Sequence, residues 1–262
     1  MADEVHIVLA DPAGNITLLV TDKIEQCDRV TIANRLLGIP DWKAEQVGFI
    51  VPSKMGGDGR LEMMGGEFCG NALRSFGYYM AVQKGLKQGV ISAEISGAGE
   101  PLIVEADTER HIAWTQMPVP QRMDAVQIPG AGTYPFVVMD GIWHVILEHA
   151  VPSETLTECI LNGIYAGENP EAVGIMYVQE RQMTPVVYVA ATDTLVHENS
   201  CGSGSIAYAY YLARNDITGT YHEKIRQPGG TIETALVKES GEVKRCSMGG
   251  RIELSKPVTV RL

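Results

Sequence analysis

The stretch Cys69-Gly-Asn-Ala-Leu-Arg-Ser-Phe-Gly-Tyr-Tyr-Met-Ala81 lies without a gap on Cys201-Gly-Ser-Gly-Ser-Ile-Ala-Tyr-Ala-Tyr-Tyr-Leu-Ala213. Cys-Gly opens both copies, and Tyr-Tyr, an aliphatic residue and Ala close both. Each copy runs from small residues into an apolar helix. The offset is 132 positions, about half of the 262-residue chain. The spacing therefore predicts two lobes of similar build, each with one buried helix inside β structure. Two prolines in Met117-Pro-Val-Pro120 break any regular element there, so this is the expected hinge.

Outward from the repeat, the chain reads as short strands. β-branched runs occupy Val5–Ala10, Ile16–Thr21, Val47–Val51, Leu102–Val104, Thr133–Met139, Gly174–Val178, Val186–Ala191 and Val258–Arg261. Glycine and proline punctuate them at the spacing of antiparallel β structure. Three more helices are expected, over about Asp22–Leu36, Asp41–Gln46 and Ser153–Leu161, the last opening on a Ser/Glu capping signal.

Composition excludes several functions. Hydrophobic residues make up 45% and charged residues 20%, which suits a folded globular chain and not a disordered one. Thirty-two acids against 21 Lys plus Arg leave a net charge of −11. No basic cluster is denser than Lys244-Arg245, so neither nucleic acid nor an anionic membrane is an expected partner. No apolar run approaches the roughly 18 residues of a membrane span. Met1-Ala-Asp-Glu lacks the basic start of a signal peptide, and the expected location is the cytoplasm. The expected partner is a small-molecule amino acid; a homodimer is compatible with the sequence.

Five cysteines, an odd number with no CxxC pair, argue against a disulfide framework, a zinc ribbon and a redox pair. The six histidines show no metal-ligand spacing, and no metal is expected. Cys69 and Cys201 differ from the other three because each stands where a helix begins. Free N–H groups and the helix macrodipole favour negative charge there. Such a position lowers the pKa of a thiol and holds a substrate carboxylate. Small residues, Gly70 and Asn71 in one copy and Gly202, Ser203 and Gly204 in the other, let a ligand approach the backbone.

Two thiols flanking one carbon can invert a stereocentre. One thiolate removes the α-proton while the opposite thiol delivers another, and no cofactor is required. The plain alternative is that a free cysteine is a small buried hydrophobe. Cys27, Cys159 and Cys246 keep that reading, since no glycine-rich helix start follows them. Gly202-Ser-Gly-Ser-Ile-Ala207 also fits a dinucleotide fingerprint, which needs a strand just before it and an acid about 20 residues on. Val196-His-Glu-Asn-Ser200 does not read as a strand and βαβ alternation is not apparent, so the match is read as accidental. His197 is close enough in sequence to tune Cys201.

These residues resemble the cofactor-independent amino-acid racemases and epimerases of the diaminopimelate epimerase type. Gly14-Asn15, Gly65-Gly-Glu-Phe-Cys-Gly-Asn71, Ser200-Cys-Gly-Ser-Gly204, Gln227-Pro-Gly-Gly-Thr-Ile-Glu233 and Met248-Gly-Gly250 carry the resemblance along nearly the whole chain. It implies an α+β fold of two pseudo-symmetric lobes, each a mainly antiparallel β-barrel around a central helix. The lobes would be residues 1–117, with 253–262 returning to them, and residues 118–252. The resemblance also implies Cys69 and Cys201 as the two bases, with Asn15, Gly70, Asn71, Gly202 and Ser203 near the α-carboxylate or α-amine.

The departures bear on the substrate. Where diaminopimelate epimerases carry Asn before Pro-His, this chain has Gly141-Ile142-Trp143-His144. Their Asn before a Val-Gly strand is Ala172 here. Their Glu-Arg pair before the second cysteine is Thr192 and Asp193. A site built for a distal zwitterion fails without its polar partners. Trp143 and Ile142 could wall an apolar or stacking pocket, and Asp193, Glu62 or Glu45 could supply a carboxylate. That mixture suits a cationic or imidazole side chain. The histidine-racemising branch is also similar around Gly-Gly-Glu-Phe-Cys-Gly-Asn. Histidine is the leading expected substrate. Diaminopimelate epimerase, a proline-type racemase, a phenazine-type isomerase and a non-catalytic amino-acid binder are the alternatives.

Overall fold

The computed structural model describes residues 4–262. Four α-helices and 18 β-strands among them make a mixed α+β fold dominated by strands. The chain divides into two units, one built from the chain up to Gln116 with Gly249–Leu262, the other from Met117–Met248.

In the first unit β1 (Glu4–Asp11) pairs antiparallel with β2 (Thr17–Val20). Helix α1 (Gln26–Leu37) then leads to β3 (Gln46–Val51), which lies parallel to β2. Strand β4 (Gly59–Met63) returns antiparallel to β3, and α2 (Gly70–Gln83) crosses to β5 (Gln88–Ile95), parallel to β4. Strands β6 (Leu102–Asp107) and β7 (Ile112–Met117) complete an antiparallel meander.

The second unit has a similar order with one more strand before each helix. Strands β8 (Arg122–Ile128), β9 (Gly132–Met139) and β10 (Ile142–Glu148) run antiparallel. Helix α3 (Glu154–Tyr165) crosses to β11 (Ala172–Gln179), parallel to β10. Strand β12 (Gln182–Val189) pairs with β11 and with β13 (Thr194–His197), both antiparallel. Helix α4 (Gly202–Leu212) then leads to β14 (Gly219–Gln227), which touches β12 in parallel and pairs with β15 (Gly230–Glu239). Strand β16 (Glu242–Arg251) follows, and β17 (Glu253–Leu254) and β18 (Val258–Arg261) pair with β1.

Pleating sorts the core. Val5 and Ile7 of β1 pack with Ile32 and Leu36 of α1, whereas Val8 and Ala10 pack with Leu73 and Phe76 of α2. The central strands therefore carry a helix on each face, as parallel crossovers require. β10 does the same: Val145 and Leu147 meet Ile160 and Ile164 of α3, and Ile146 joins Cys201 and Tyr208 on the α4 side. α2 is buried from Gly70 through Tyr78, so its apolar surface runs almost all the way round. Gly77 allows this closeness, because a Cβ there would stand 2.5 Å from the side chain of Val104.

Several expectations change. Three of the four helices, α1, α2 and α3, join parallel strands directly, so βαβ connections are present although antiparallel pairs predominate; α4 runs from β13 to β14, which meets β12 in parallel at one residue pair. Each unit has two helices, of which α1 and α3 bury one stripe only. A short strand does precede Cys201, ending at His197. It leaves Glu198–Ser200 before the helix and is not followed immediately by the glycines. The helix expected over Asp41–Gln46 is a single 3-10 turn, Pro40–Trp42, because Lys43 turns into the left-handed region at φ 47°. Cys27 and Cys159 are exposed on the outer faces of α1 and α3, not packed; Cys246 is buried. Among the described residues no helix is long and apolar enough to cross a membrane.

Candidate active site

Cys69 and Cys201 are the N-cap residues of α2 and α4. Their backbones match: φ −137° and ψ 114° at Cys69, φ −118° and ψ 113° at Cys201. Each carbonyl accepts the first helical bond, from Leu73 at 2.9 Å and from Ser205 at 3.1 Å. α-Helical geometry gives the preceding amides no partner inside the helix. Ala72 donates its amide to Cys69 Sγ at 3.4 Å, so the thiol itself caps α2.

Around Cys69 the first unit gathers polar groups. Arg74, one turn into α2, is completely buried. It donates to Asn71 Oδ1 from Nε at 3.3 Å and from Nη2 at 3.2 Å, and to the carbonyls of Pro12 at 3.0 Å and Arg251 at 3.5 Å. Burial lowers Arg74 to about 10, opposed by its coupling to Cys69 and Asp11, so the guanidinium stays ionised at neutral pH. Asn15, also buried, donates Nδ2 to Glu45 and accepts from Gln46 Nε2 at 2.8 Å. Gly70 and Asn71 lie in the buried first turn of α2.

Glu62 is engaged by its own strand and the neighbouring loop. Arg60 Nε and Lys54 Nζ each donate to it at 2.7 Å. Burial, which alone raises its pKa, is outweighed by these two cations, and the carboxyl titrates below its ordinary value.

In the second unit Cys201 is buried, with its sulfur 3.6 Å from Ser203 Oγ. Ser203 Oγ lies 3.0 Å from Nε2 of His144, which points from β10 toward α4. His144 is completely buried, and burial lowers it to about 3, so the imidazole is neutral. With Nε2–H donating to Oγ, the serine proton is left for the sulfur. A Cβ on residue 174 would come within 2.3 Å of His144 Nδ1, so Gly174 makes the space for this ring.

The helix start alone would lower the Cys201 thiol. Burial instead raises it well above the ordinary value, Glu198 adds to the rise, and the Gly204 amide and Ser203 hydroxyl oppose both. Gly202 and Gly204 are packing positions: a Cβ on either would collide with the sulfur of Met248 at 2.5 Å or of Met176 at 2.3 Å.

The remaining candidates in this unit face elsewhere. Trp143, next to His144 on β10, turns to the α3 side by strand alternation. It stacks on Phe136 at 4.7 Å beneath the Arg122 guanidinium. Asp193 is exposed at a left-handed turn, φ 49°, and accepts from Tyr188 Oη at 2.9 Å. Tyr188 packs edge-on against Tyr165 of α3. His197 is exposed, and the acid acting on Cys201 is Glu198.

Sequence reasoning missed Arg74, His144, Glu198 and Gln227. A lone charge inside an otherwise apolar helix, opposite Ile206 in the repeat, is the signal that marks Arg74. Gln227 Oε1 accepts the Cys201 amide at 2.8 Å, and its position before Pro228 gave no such signal. Among the described residues no cluster of His, Cys, Asp and Glu is arranged to hold a metal ion.

Comparison with known proteins places the chain in a lineage. The family described as "Histidine racemase CntK N-terminal domain" matches residues 4–258. A histidine racemase from Fusobacterium nucleatum is 33% identical over 236 residues, covering 85% of this chain and 86% of that protein. One from Staphylococcus aureus is 29% identical over 235 residues, with 85% of each covered. The crystal structure of a probable proline racemase from Agrobacterium radiobacter shares the fold, with TM-score 0.68 over 96% of this chain and 92% of that one at 11% identity. Matched along almost its whole length, the chain belongs to the CntK-type histidine racemase family and is an amino-acid racemase.

Proposed function

We propose that this racemase inverts the α-carbon of histidine, using Cys69 and Cys201 as its two bases. The matched pair of N-cap cysteines carries the reading: one in each unit, at the starts of α2 and α4, with nearly the same backbone. In the forward step a cysteine thiolate takes the α-proton, and the electron pair remains on the substrate, spread into its carboxylate. The other thiol then gives its proton to the opposite face of the carbon. The enzyme ends with thiol and thiolate exchanged, so atoms and charge balance without a cofactor. The first-turn amides at Gly70, Asn71, Gly202 and Ser203 suit the charge that develops on the carboxylate.

Histidine is favoured by the names of the relatives and by the chain's own residues. The distal zwitterion clamp is replaced at Ile142, Ala172, Thr192 and Asp193, while Glu45 stands beside Asn15 as a carboxylate suited to an imidazole. We also propose that each unit is a β-barrel closed around α2 or α4 and that the units are pseudo-symmetric; their similar alternation of strands with two helices supports this.

Proton NMR in D₂O tests the reading. Reduced protein with L-histidine should lose the α-proton signal, and chiral chromatography should find D-histidine. L-Proline, L-alanine and diaminopimelate should exchange far more slowly. Faster exchange with one of those would overturn the substrate, and no exchange with any would favour a binding protein.

A further inference from the structure

Arg74 is a fully buried cation. Its hydrogen bonds all go to neutral oxygens, those of Asn71, Pro12 and Arg251. None of the ion pairs among the described residues includes it. A fully buried charge left in that condition is unfavourable, and any anion beside it relieves the cost. The acidic groups coupled to it are the Cys69 thiol, at the N-cap of its own helix, and Asp11, at the end of β1. Asp11 Oδ1 already accepts the Gly14 amide at 2.6 Å. Cys201 has the opposite surroundings: it is itself buried, the half-buried Glu198 carboxylate acts on it, and the histidine behind Ser203 is neutral and gives it no cation.

We propose that Arg74 is a positioning residue that makes Cys69 the thiolate of the resting enzyme, while burial, with Glu198 beside it, keeps Cys201 in the thiol form. The bases are then unequal before substrate arrives. The enantiomer whose α-hydrogen faces Cys69 meets an enzyme ready to react. Its mirror image needs the form in which the proton has moved from Cys201 to Cys69, against the fields of both Arg74 and Glu198. Arg74 also holds the Asn71 side chain and the Pro12 carbonyl at the start of the Asn15 turn, so one side chain sets both the charge and the shape around Cys69.

The inference rests on the two-thiol reading, and its test is independent of turnover. Full-length protein is alkylated with iodoacetamide across a pH series, and labelling at each cysteine is read by peptide mass spectrometry. In the wild type the Cys69 midpoint should fall at least one unit below the ordinary thiol value of about 8.5. Arg74→Gln should raise that midpoint by about one unit and slow labelling at pH 7 roughly tenfold. Arg74→Lys, which keeps the charge, should restore most of the shift, and the exposed Cys27 should titrate alike in all three proteins. A wild-type midpoint near or above about 8.5 overturns the proposal. So does an unchanged midpoint in folded Arg74→Gln; where that variant does not fold, the wild type and Arg74→Lys decide. A protein that labels as expected but racemises nothing overturns the two-thiol reading alone, and an active racemase with an unshifted Cys69 overturns the role of Arg74 alone.

Discussion

Gln227 holds the peptide of Cys201 at both ends. Its Oε1 accepts the Cys201 amide at 2.8 Å, its Nε2 donates to Ser205 Oγ at 2.8 Å, and that hydroxyl donates to the Cys201 carbonyl at 2.7 Å. The ring of three bonds fixes the direction in which the sulfur leaves α4. Gln227→Leu would leave a buried N–H unsatisfied, at about 1–3 kcal/mol of stability. A displaced base costs more in rate than in binding, so kcat should fall by roughly a hundredfold with KM for histidine little changed. Denaturant unfolding and steady-state racemisation check the two parts. A kcat within twofold of wild type would show that the ring does not position the base.

The two Cys-Gly turns should separate cleanly from the other cysteines. Cys69→Ser and Cys201→Ser each remove one of the two proposed bases, and a serine hydroxyl is too weak an acid and base to replace a thiol. Each should lower racemisation by at least roughly a thousandfold. Cys27→Ser and Cys159→Ser alter exposed positions on α1 and α3 and should stay within about 0.5 kcal/mol of wild-type stability, with unchanged rate. Equal losses from all four substitutions would contradict the assignment.

The repeat was legible because it is local. A cysteine, a run of small residues and an apolar helix are all written within one stretch, and both helices begin at the position the alignment gives. What surrounds the cysteines is nonlocal. Arg74 reaches Pro12 and Arg251, and Gln227 returns to Cys201 from 26 residues away. Strand alternation puts Trp143 and His144 on opposite faces, but their order cannot say which face α4 will cover. β14 was overlooked for a related reason: Gly219–Gln227 is polar and half exposed, and only Ile225 and Gln227 are buried. The three parallel crossovers were hidden because each helix was read singly, apart from the strands it joins.

His144 makes stability depend on pH in a defined window. Its pKa falls from the ordinary 6.5 to about 3 on burial, so between these values the unfolded chain binds a proton that the folded one refuses. Stability is therefore complete above pH 6.5 and lost as the pH falls, by about 1.4 kcal/mol per unit from this group. The buried Glu94 contributes in a lower window. Burial would raise its carboxyl, but bonds from Ser53 Oγ and the amides of Lys54, Gly57 and Met55 outweigh that and hold it at about 2 against an ordinary 4.5. Urea unfolding between pH 4.5 and 6.5 should thus report His144, and His144→Gln should flatten the slope. The same slope in the variant would assign it to other groups.

Trp143 offers the sharpest separation between packing and substrate recognition. Its indole lies 8° from parallel with Phe136, and Arg122 sits 5.3 Å above each ring. All three residues belong to the α3 side of the sheet, with Val145 and Leu147, whereas Cys201 packs on the α4 side with Ile146. Trp143→Ala removes the centre of this stack and should cost about 3 kcal/mol. Trp143→Phe keeps a ring against Phe136 and should recover most of that. If the indole serves packing alone, KM for histidine stays within twofold in the folded Trp143→Phe protein, and the ratio of histidine to other amino acids does not move. A rise in KM of tenfold or more without loss of stability would instead put the indole against the substrate.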